Sequence, residues 1–236
     1  MSFLESLKAI GTSGIGIAAL FSIIGSIIWL LFWLQEDYKR PEPKRLIALT
    51  FLYGGISTAL VLPLQLFLSP LLGSGIVFLV AISLTEEVFK YFAAYFAALR
   101  RPEYDEPIDA LIYLITAAVG FAAIENALYL VASLASGDST EFIIFGIQRL
   151  ITPTVLHIVV SGTVGLALAS GFYASKTAKR IYLFLGIVVA MILHTTFNYL
   201  ILNTSNTNVL AIGVWVAALI IIFLFEVVKR IKPHKN

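Results

Sequence analysis

The sequence predicts an all-α fold, a polytopic bundle of about seven transmembrane helices, and two observations lead to this prediction. Of the 236 residues, 59% are hydrophobic and only 13% are charged, whereas soluble domains are about half apolar and about a quarter charged. The apolar residues are also gathered into long runs, and a helix of roughly 20 such residues spans the hydrocarbon core of a bilayer. The composition therefore indicates a multi-pass integral protein of the cell membrane.

Seven segments are long and apolar enough to span a bilayer. They cover about 14–34, 46–69, 73–99, 108–134, 144–173, 181–202 and 208–231. The first is followed by WLQEDYKRPEPKR rather than by a small-residue cleavage site, so we expect a retained span and not a signal peptide. The fifth is too long for one straight helix and contains Thr152-Pro153, where proline removes a backbone donor. We predict an interfacial or tilted lead-in over 141–150 and a buried helix that starts near Pro153.

The distribution of Lys and Arg among the connections predicts the orientation of the bundle. Basic residues occur in 35–45, 100–107, 174–180 and the C-terminal tail, whereas 70–72, 135–143 and 203–208 contain none. Because cytoplasmic loops are enriched in Lys and Arg, this alternation fits an N-terminus outside and a C-terminus in the cytoplasm. No repeat or long linker divides the chain, so residues 1–236 are predicted to form a single transmembrane domain.

Charge and cysteine content exclude several classes of partner and site. The net charge is only +2 and no basic cluster carries interleaved aromatic residues, so we expect no nucleic-acid partner. The chain has no cysteine, which excludes disulfides and thiolate metal sites. The lipid bilayer is the expected surrounding.

Ionisable residues inside the spans are the candidates for function, since each costs roughly 2.5–3.5 kcal/mol in mid-bilayer and usually lines a cavity or pairs with another. The candidates are Glu86, Glu87 and Lys90 in the third span, Glu125 and Asn126 in the fourth, His157 in the fifth, and His194 and Asn198 in the sixth.

Depth counting puts the candidates from four spans in one layer. Glu87, Glu125, His157 and His194 lie about 12, 17, 16 and 13 residues from the cytoplasmic end of their spans, which is within roughly 8 Å of a common level at 1.5 Å per residue. Lys90 can pair with Glu86 at i+4 or with Glu87 at i+3. The two glutamates diverge by about 100° around the helix, so one can face a cavity while the other meets a neighbouring helix.

The residue types in this layer favour hydrolysis. The common motifs of soluble enzymes are absent, and Ser83 and Ser161 lack an evident base. A carboxylate and an imidazole can deprotonate water by general-base action or through a metal that lowers its pKa, and His and Asn can stabilise an oxyanion. Two other hypotheses stay open: a proton- or cation-coupled transporter that uses Glu87, Glu125 and the histidines as a relay, and a scaffold with a polar core.

Four motifs resemble a known family. EEVFK (86–90), YDEPIDALIYLITAAVGFAAIENALY (104–129), TPTVLH (152–157) and HTTFN (194–198) together look like the PrsW family of intramembrane proteases. That family is related to the group of CAAX prenyl proteases and bacteriocin-processing membrane proteases. The resemblance runs from about Leu34 to Tyr199, which is most of the chain.

The resemblance implies a transmembrane protease domain that cleaves a membrane-anchored, single-pass substrate of the anti-sigma-factor type. Carried over, Glu86 and His157 activate water with support from Glu87, and His194 and Asn198 hold the oxyanion.

Lys90, Glu125 and Asn126 are expected to support that site. A zinc ion held by Glu86, His157 and His194, with water as the fourth ligand, is the alternative to a water activated by glutamate alone.

Two departures from the related group favour the PrsW branch over a prenylated substrate. Lys90 lies one position earlier than the Arg of an EExxxR motif, and Pro153 replaces a Phe four residues before His157.

Overall fold

The computed structural model describes residues 3–134, 139–204 and 207–231, and within these ranges the chain folds into eight α-helices and no strand. This confirms the predicted all-α helix bundle. The helices are α1 (Phe3–Leu34), α2 (Lys44–Leu72), α3 (Ile76–Ala94), α4 (Pro107–Leu134), α5 (Ser139–Ile151), α6 (Pro153–Ser170), α7 (Lys176–Asn203) and α8 (Thr207–Val228). The predicted connections 135–143 and 203–208 and the C-terminal tail lie partly outside the described residues.

Six stretches of the described chain are long and apolar enough to cross a membrane. They correspond to α1, α2, α4, the α5–α6 pair, α7 and α8. The helix α3 falls outside this set by composition, because it carries Glu86, Glu87 and Lys90. Its 19 residues continue into a five-residue π-helix, Tyr95–Leu99, and this combined length of about 36 Å exceeds the hydrocarbon thickness of about 30 Å. The chain therefore has the length for seven spans.

Helix α4 is the centre of the bundle. Residues 107–123 are buried without interruption, and the helix packs against α1, α2 and α6. Two glycines let α2 and α4 approach closely: a Cβ atom at Gly54 would lie 2.1 Å from the Ala117 carbonyl oxygen, and one at Gly120 would lie 2.1 Å from that of Phe51. Membrane helices often associate through such close backbone contacts at small residues, because no hydrophobic driving force acts between helices in apolar lipid.

The fifth predicted span is two helices, as the Thr152-Pro153 pair indicated. Helix α5 ends at Ile151 and α6 begins at Pro153, where proline occupies the first turn and its missing N–H breaks no helical hydrogen bond. The break separates the amphipathic α5, which carries Arg149, from the mostly buried α6, which carries His157. Arg149 and His157 can therefore approach α4 from two different helices.

The short connections at both faces of the bundle have local explanations. Gly73 ends α2 with a φ of +68° and donates its N–H to the Ser69 carbonyl at 3.0 Å, a backbone conformation that costs glycine little. Ser175 precedes α7, and its hydroxyl accepts the N–H of Ala178, which satisfies a helix N-terminus. The first of these turns connects α2 to α3, and the second connects α6 to α7.

Candidate active site

Four ionisable side chains from three helices meet in the middle of the bundle. Glu86 and Glu87 come from α3, His157 from α6 and His194 from α7, and one ligand atom of each lies within 4.8 Å of the others. All four are buried, with 1–4% of their surface exposed. The sequence predicted that glutamates and histidines from different spans lie at one depth, and in the structure these side chains are in direct contact.

The Glu87 carboxylate accepts hydrogen bonds at both oxygens. Its Oε1 lies 2.7 Å from Lys90 Nζ and 2.9 Å from His194 Nδ1, and its Oε2 lies 2.9 Å from the Ser161 hydroxyl. Lys90 is completely buried. Of the two pairings that helix geometry allowed, the i, i+3 pair of Glu87 and Lys90 is therefore the closer one. Ser161, which the sequence gave no reason to connect with a carboxylate, holds this group in place.

The Glu86 carboxylate has one oxygen held and one open. Its Oε1 accepts a hydrogen bond of 2.9 Å from the side-chain amide of Gln65 on α2. Its Oε2 is buried and has no hydrogen-bond partner; Lys90 Nζ lies 3.6 Å away and His194 Nε2 lies 3.7 Å away. The two adjacent glutamates therefore differ in that only Glu86 offers an unbonded oxygen to the site.

His157 uses both of its ring nitrogens. Lys90 Nζ lies 2.8 Å from Nδ1, and Glu125 Oε2 lies 3.0 Å from Nε2. Because an ammonium group only donates, Nδ1 accepts, and the ring proton on Nε2 then points to the Glu125 carboxylate. The Phe121 ring packs against both His157 and Lys90, with the ammonium 4.4 Å from its centroid.

Arg149 is a member of this site that the sequence reasoning missed. From the end of α5 it donates to Glu125 Oε2 at 3.0 Å and to Asn126 Oδ1 at 2.7 Å, and its guanidinium lies 3.8 Å from the centroid of the Tyr129 ring. Asn126 in turn donates to Thr154 Oγ1 at 2.8 Å. One signal could have found it: Arg149 is a basic residue next to a predicted outer connection, where the charge bias expects none.

Two adjoining cavities reach the polar layer. The first, which we name the site cavity, has a volume of about 290 Å³. Its lining includes Glu86, Glu125, Arg149, His157, His194 and Asn198. It extends toward Phe78 on α3 and Leu202 on α7, which lie at the side of the bundle whose connections lack basic residues. Asn198 thus lies on the wall of the same cavity as His194, one helical turn away.

The second cavity, which we name the α2–α4 groove, has a volume of about 330 Å³. Its walls are mostly apolar and are formed by Thr58, Val61, Leu62, Leu66, Phe121, Leu128 and Ala132. Leu66 and Tyr129 at its rim are 67% and 49% exposed, so the groove is open at the lipid-facing surface. Gln65, Glu86, Glu125 and Tyr129 border both cavities.

The donor set of the polar layer fits a metal ion of the zinc class. Carboxylate oxygens and imidazole nitrogens are zinc ligands, and Glu86 Oε2 is an orphaned buried oxygen next to His194 Nε2. His157 contributes a third ligand atom, its Nδ1, once the hydrogen bond of that nitrogen with Lys90 is exchanged. Lys90 itself lies among these groups, so its ammonium and a metal ion compete for the same negative charge.

Comparison with known proteins identifies the family. A profile described as PrsW family intramembrane metalloprotease matches residues 42–228. Protease PrsW of Geobacillus kaustophilus is 31% identical over 199 residues, which are 80% of this chain and 82% of that protein.

Protease PrsW of Oceanobacillus iheyensis is 26% identical over 83% of this chain and 90% of that protein. That of Clostridioides difficile is 25% identical over 92% of each chain. No solved structure matches the chain significantly. With a buried glutamate–histidine layer inside a polytopic bundle and this similarity along most of its length, the chain belongs to the PrsW family of intramembrane metalloproteases.

Proposed function

We propose that this membrane-embedded protease hydrolyses a peptide bond of a single-pass membrane protein, of the anti-sigma-factor type, with Glu86 as the base that activates water. The observation that carries the proposal is the buried Glu86 Oε2, which has no hydrogen-bond partner and belongs to a side chain that borders both cavities. A general base must reach its water through an open oxygen. Glu87, whose two oxygens are both bonded, is the positioning partner.

The chemistry follows from the groups around Glu86. A water oxygen attacks the carbonyl carbon of the scissile bond and its proton passes to Glu86 Oε2. The oxyanion that forms lies within reach of the Asn198 amide, a hydrogen-bond donor of the kind that stabilises such charge. His194 lies beside it, with its Nδ1–H directed to Glu87. When the carbon–nitrogen bond breaks, Glu86 returns the proton to the leaving amine.

Lys90, Glu125 and Arg149 orient these groups without touching the substrate. Lys90 joins Glu87 to His157 by donating to both, and Glu125 accepts the Nε2 proton of His157. Such second partners fix the tautomer and direction of an imidazole. We assign Asn126 the same supporting role, because it connects Arg149 to the first turn of α6 through Thr154.

A zinc ion held by Glu86, His157 and His194 is the alternative proposal for water activation; Glu86 Oε2 would then be a metal ligand and not the base. When bound, it would polarise the scissile carbonyl and lower the pKa of an attacking water. The surrounding helices would exclude bulk water from it, and Glu87 stays paired with Lys90.

The α2–α4 groove is the proposed route of the substrate. It opens at the surface that faces lipid, its walls are apolar, and it ends at Gln65, Glu86 and Glu125. An apolar segment of a membrane-anchored protein can therefore move sideways from the bilayer to the Glu86 carboxylate without crossing water.

The decisive experiment compares Glu86→Gln and Glu87→Gln with the wild type on co-expressed, epitope-tagged single-pass membrane proteins. Loss of a general base lowers rates by about 10²–10⁴-fold, so we expect Glu86→Gln to leave at most about one per cent of the cleavage rate. The matched control is Glu103→Gln, which changes an exposed glutamate in a connection and should cut normally. Cleavage by Glu86→Gln at the wild-type rate, with the protein folded, would refute the assignment.

Zinc dependence has a separate measurement. If zinc activates the water, elemental analysis of purified active protein should find about one zinc per chain, and His194→Ala should lose it. Active protein that contains no transition metal and ignores chelators would leave Glu86 as the base and remove zinc from the proposal.

A further inference from the structure

Three carboxylates meet at the opposite end of the bundle from the extension of the site cavity. Asp37 lies in a short 3₁₀-helix after α1, Glu42 in the connection to α2, and Asp109 in the first turn of α4. One oxygen of each lies within 4.8 Å of the others. Asp109 precedes Glu125 by about 24 Å along α4, at 1.5 Å per residue. This carboxylate triad is thus separate from the active site.

Burial distinguishes the triad from an ordinary acidic surface. Asp37 is 6% exposed and Asp109 is 1% exposed, and Asp37 Oδ2 is buried with no hydrogen-bond partner. Asp109 Oδ2 accepts the N–H groups of Asp105 and Glu106 at 2.9 and 2.7 Å. These backbone bonds use one oxygen of Asp109, and the remaining side-chain bond of this carboxyl is to Glu42, another member of the triad.

Glu42 is held in the same way. Its Oε2 accepts a hydrogen bond from the Tyr113 hydroxyl on α4, and its carboxyl also shares a side-chain hydrogen bond with Asp109. The three acids thus approach one point from three elements; Asp37 keeps an unbonded oxygen, and a cation would replace the proton between Glu42 and Asp109.

The neighbouring cations are committed to other acids. Arg40 forms ion pairs with Asp105 and Glu106. Lys229, at the end of α8, pairs with Glu36 and Glu226, at 3.0 and 2.6 Å.

Within the described part of the chain, none of the triad makes an ion pair of its own. Three adjacent negative charges, two of them buried and that of Glu42 half-buried, are costly unless a proton or a cation compensates them.

We propose that Asp37, Glu42 and Asp109 bind a divalent cation of the hard, oxygen-preferring class, Mg²⁺ or Ca²⁺. The triad offers only carboxylate oxygens as ligands. Mg²⁺ and Ca²⁺ prefer such oxygens, whereas softer transition metals prefer imidazole nitrogen or thiolate sulfur. Bound there, the ion joins the end of α1, the start of α2 and the start of α4. It would therefore clamp the central helix of the bundle at the end remote from its active-site residues.

A shared proton is the competing explanation of the triad. Burial raises the pKa of the Glu42 carboxyl above its ordinary value, and the Tyr113 hydroxyl opposes that shift. A raised pKa in the folded chain means that stability falls as the pH rises from the ordinary carboxyl range through the raised value. A shared proton should therefore make the cation-free protein more stable at low pH. If a cation binds the triad, its addition should raise stability while the pH is held constant.

The test measures binding of Mg²⁺ and Ca²⁺, each added alone, to chelator-treated full-length protein in detergent at pH 7.5. Calorimetry should detect one ion per chain in the wild type and none in Asp37→Asn, and the better of the two ions should raise the Tm of the wild type by about 5 °C at saturation. Glu36→Gln is the matched control, because Glu36 pairs with Lys229 outside the triad. It should bind the ion like the wild type.

Two further variants keep the test decisive. Glu42→Gln replaces Asp37→Asn if that protein does not accumulate, since glutamine can still accept the Tyr113 hydroxyl. His194→Ala should retain the Mg²⁺ or Ca²⁺ effect, which separates the triad from the zinc site. An equal Tm shift in the wild type and Asp37→Asn, or no shift with either ion, would overturn the proposal in favour of a shared proton.

Discussion

Glu86 and Glu87 are neighbours in the sequence, yet their surroundings suit them to different work. Glu87 accepts hydrogen bonds from Lys90, His194 and Ser161, while Glu86 accepts one from Gln65 and keeps an open oxygen. A carboxylate that is fully bonded is stabilised in its ionised form and does not readily take a proton from water. The difference arises because successive residues of a helix point about 100° apart.

Arg149 provides a prediction at the residue scale. Arg149→Met removes the donors to Glu125 and Asn126, so Glu125 should no longer hold His157 in one orientation. Loss of such a supporting contact typically costs 10–100-fold in activity, and we expect that decrease in kcat with a smaller change in KM. A cleavage time course on a single-pass substrate measures both constants.

Arg180→Met is the control for this variant, because Arg180 is exposed at the start of α7. Arg149→Lys should recover only part of the rate, since lysine cannot present the planar fork of donors that serves two acceptors. Wild-type kcat in Arg149→Met would contradict the supporting role.

At the scale of helices, the crossing of α2 and α4 decides whether the groove keeps its shape. A Cβ atom at Gly120 would lie 2.1 Å from the Phe51 carbonyl oxygen, which forces one backbone to move. Overpacking of this kind costs about 1–3 kcal/mol. We therefore expect Gly120→Ala to lower the free energy of unfolding by that amount in a detergent unfolding titration.

Gly16→Ala is the matched control for the crossing, since a Cβ atom there meets nothing within 4 Å. Alanine favours helix over glycine, so this substitution should leave stability unchanged or slightly higher. Equal stability of the two variants would show that the α2–α4 contact tolerates a methyl group.

For the whole molecule, the charge bias predicts a testable orientation. The chain has no cysteine, so single cysteines introduced at exposed positions can be labelled without background. Asn203→Cys, at the end of α7, should react with a membrane-impermeant maleimide on intact cells. Glu103→Cys, between α3 and α4, should react only after permeabilisation. Labelling in the opposite pattern would reverse the topology.

Sequence reasoning predicted the span layout and the polar layer because both depend on distances along single helices. A rise of 1.5 Å per residue is enough to bring Glu87, His157 and His194 to one depth. It cannot show which helices are neighbours or how each is rotated. Gln65 and Arg149 were missed for that reason, since their roles exist only after α2 and α5 pack beside α3 and α4. The choice of Glu87 over Glu86 as the closer partner of Lys90 likewise depends on contacts from α6 and α7.

Family membership also decides between the hypotheses that the polar layer left open. A transporter relay and a protease can use the same buried glutamates and histidines, so the residues alone did not separate them. Similarity to the PrsW proteases over most of the chain favours hydrolysis. We therefore propose, rather than a relay, a single reaction centre formed by these histidines and glutamates.

Glu86 borders one apolar cavity and one more polar cavity, and the two differ in which reactant they can bring to its carboxylate. Peptide hydrolysis consumes one reactant that dissolves in lipid and one that dissolves in water. If the proposed reaction takes place at Glu86, the apolar groove and the more polar site cavity would supply them from separate phases, so a bound substrate need not block the replacement of a spent water. The rate at high substrate density should then be limited by departure of the cleaved segments rather than by rehydration of the carboxylate.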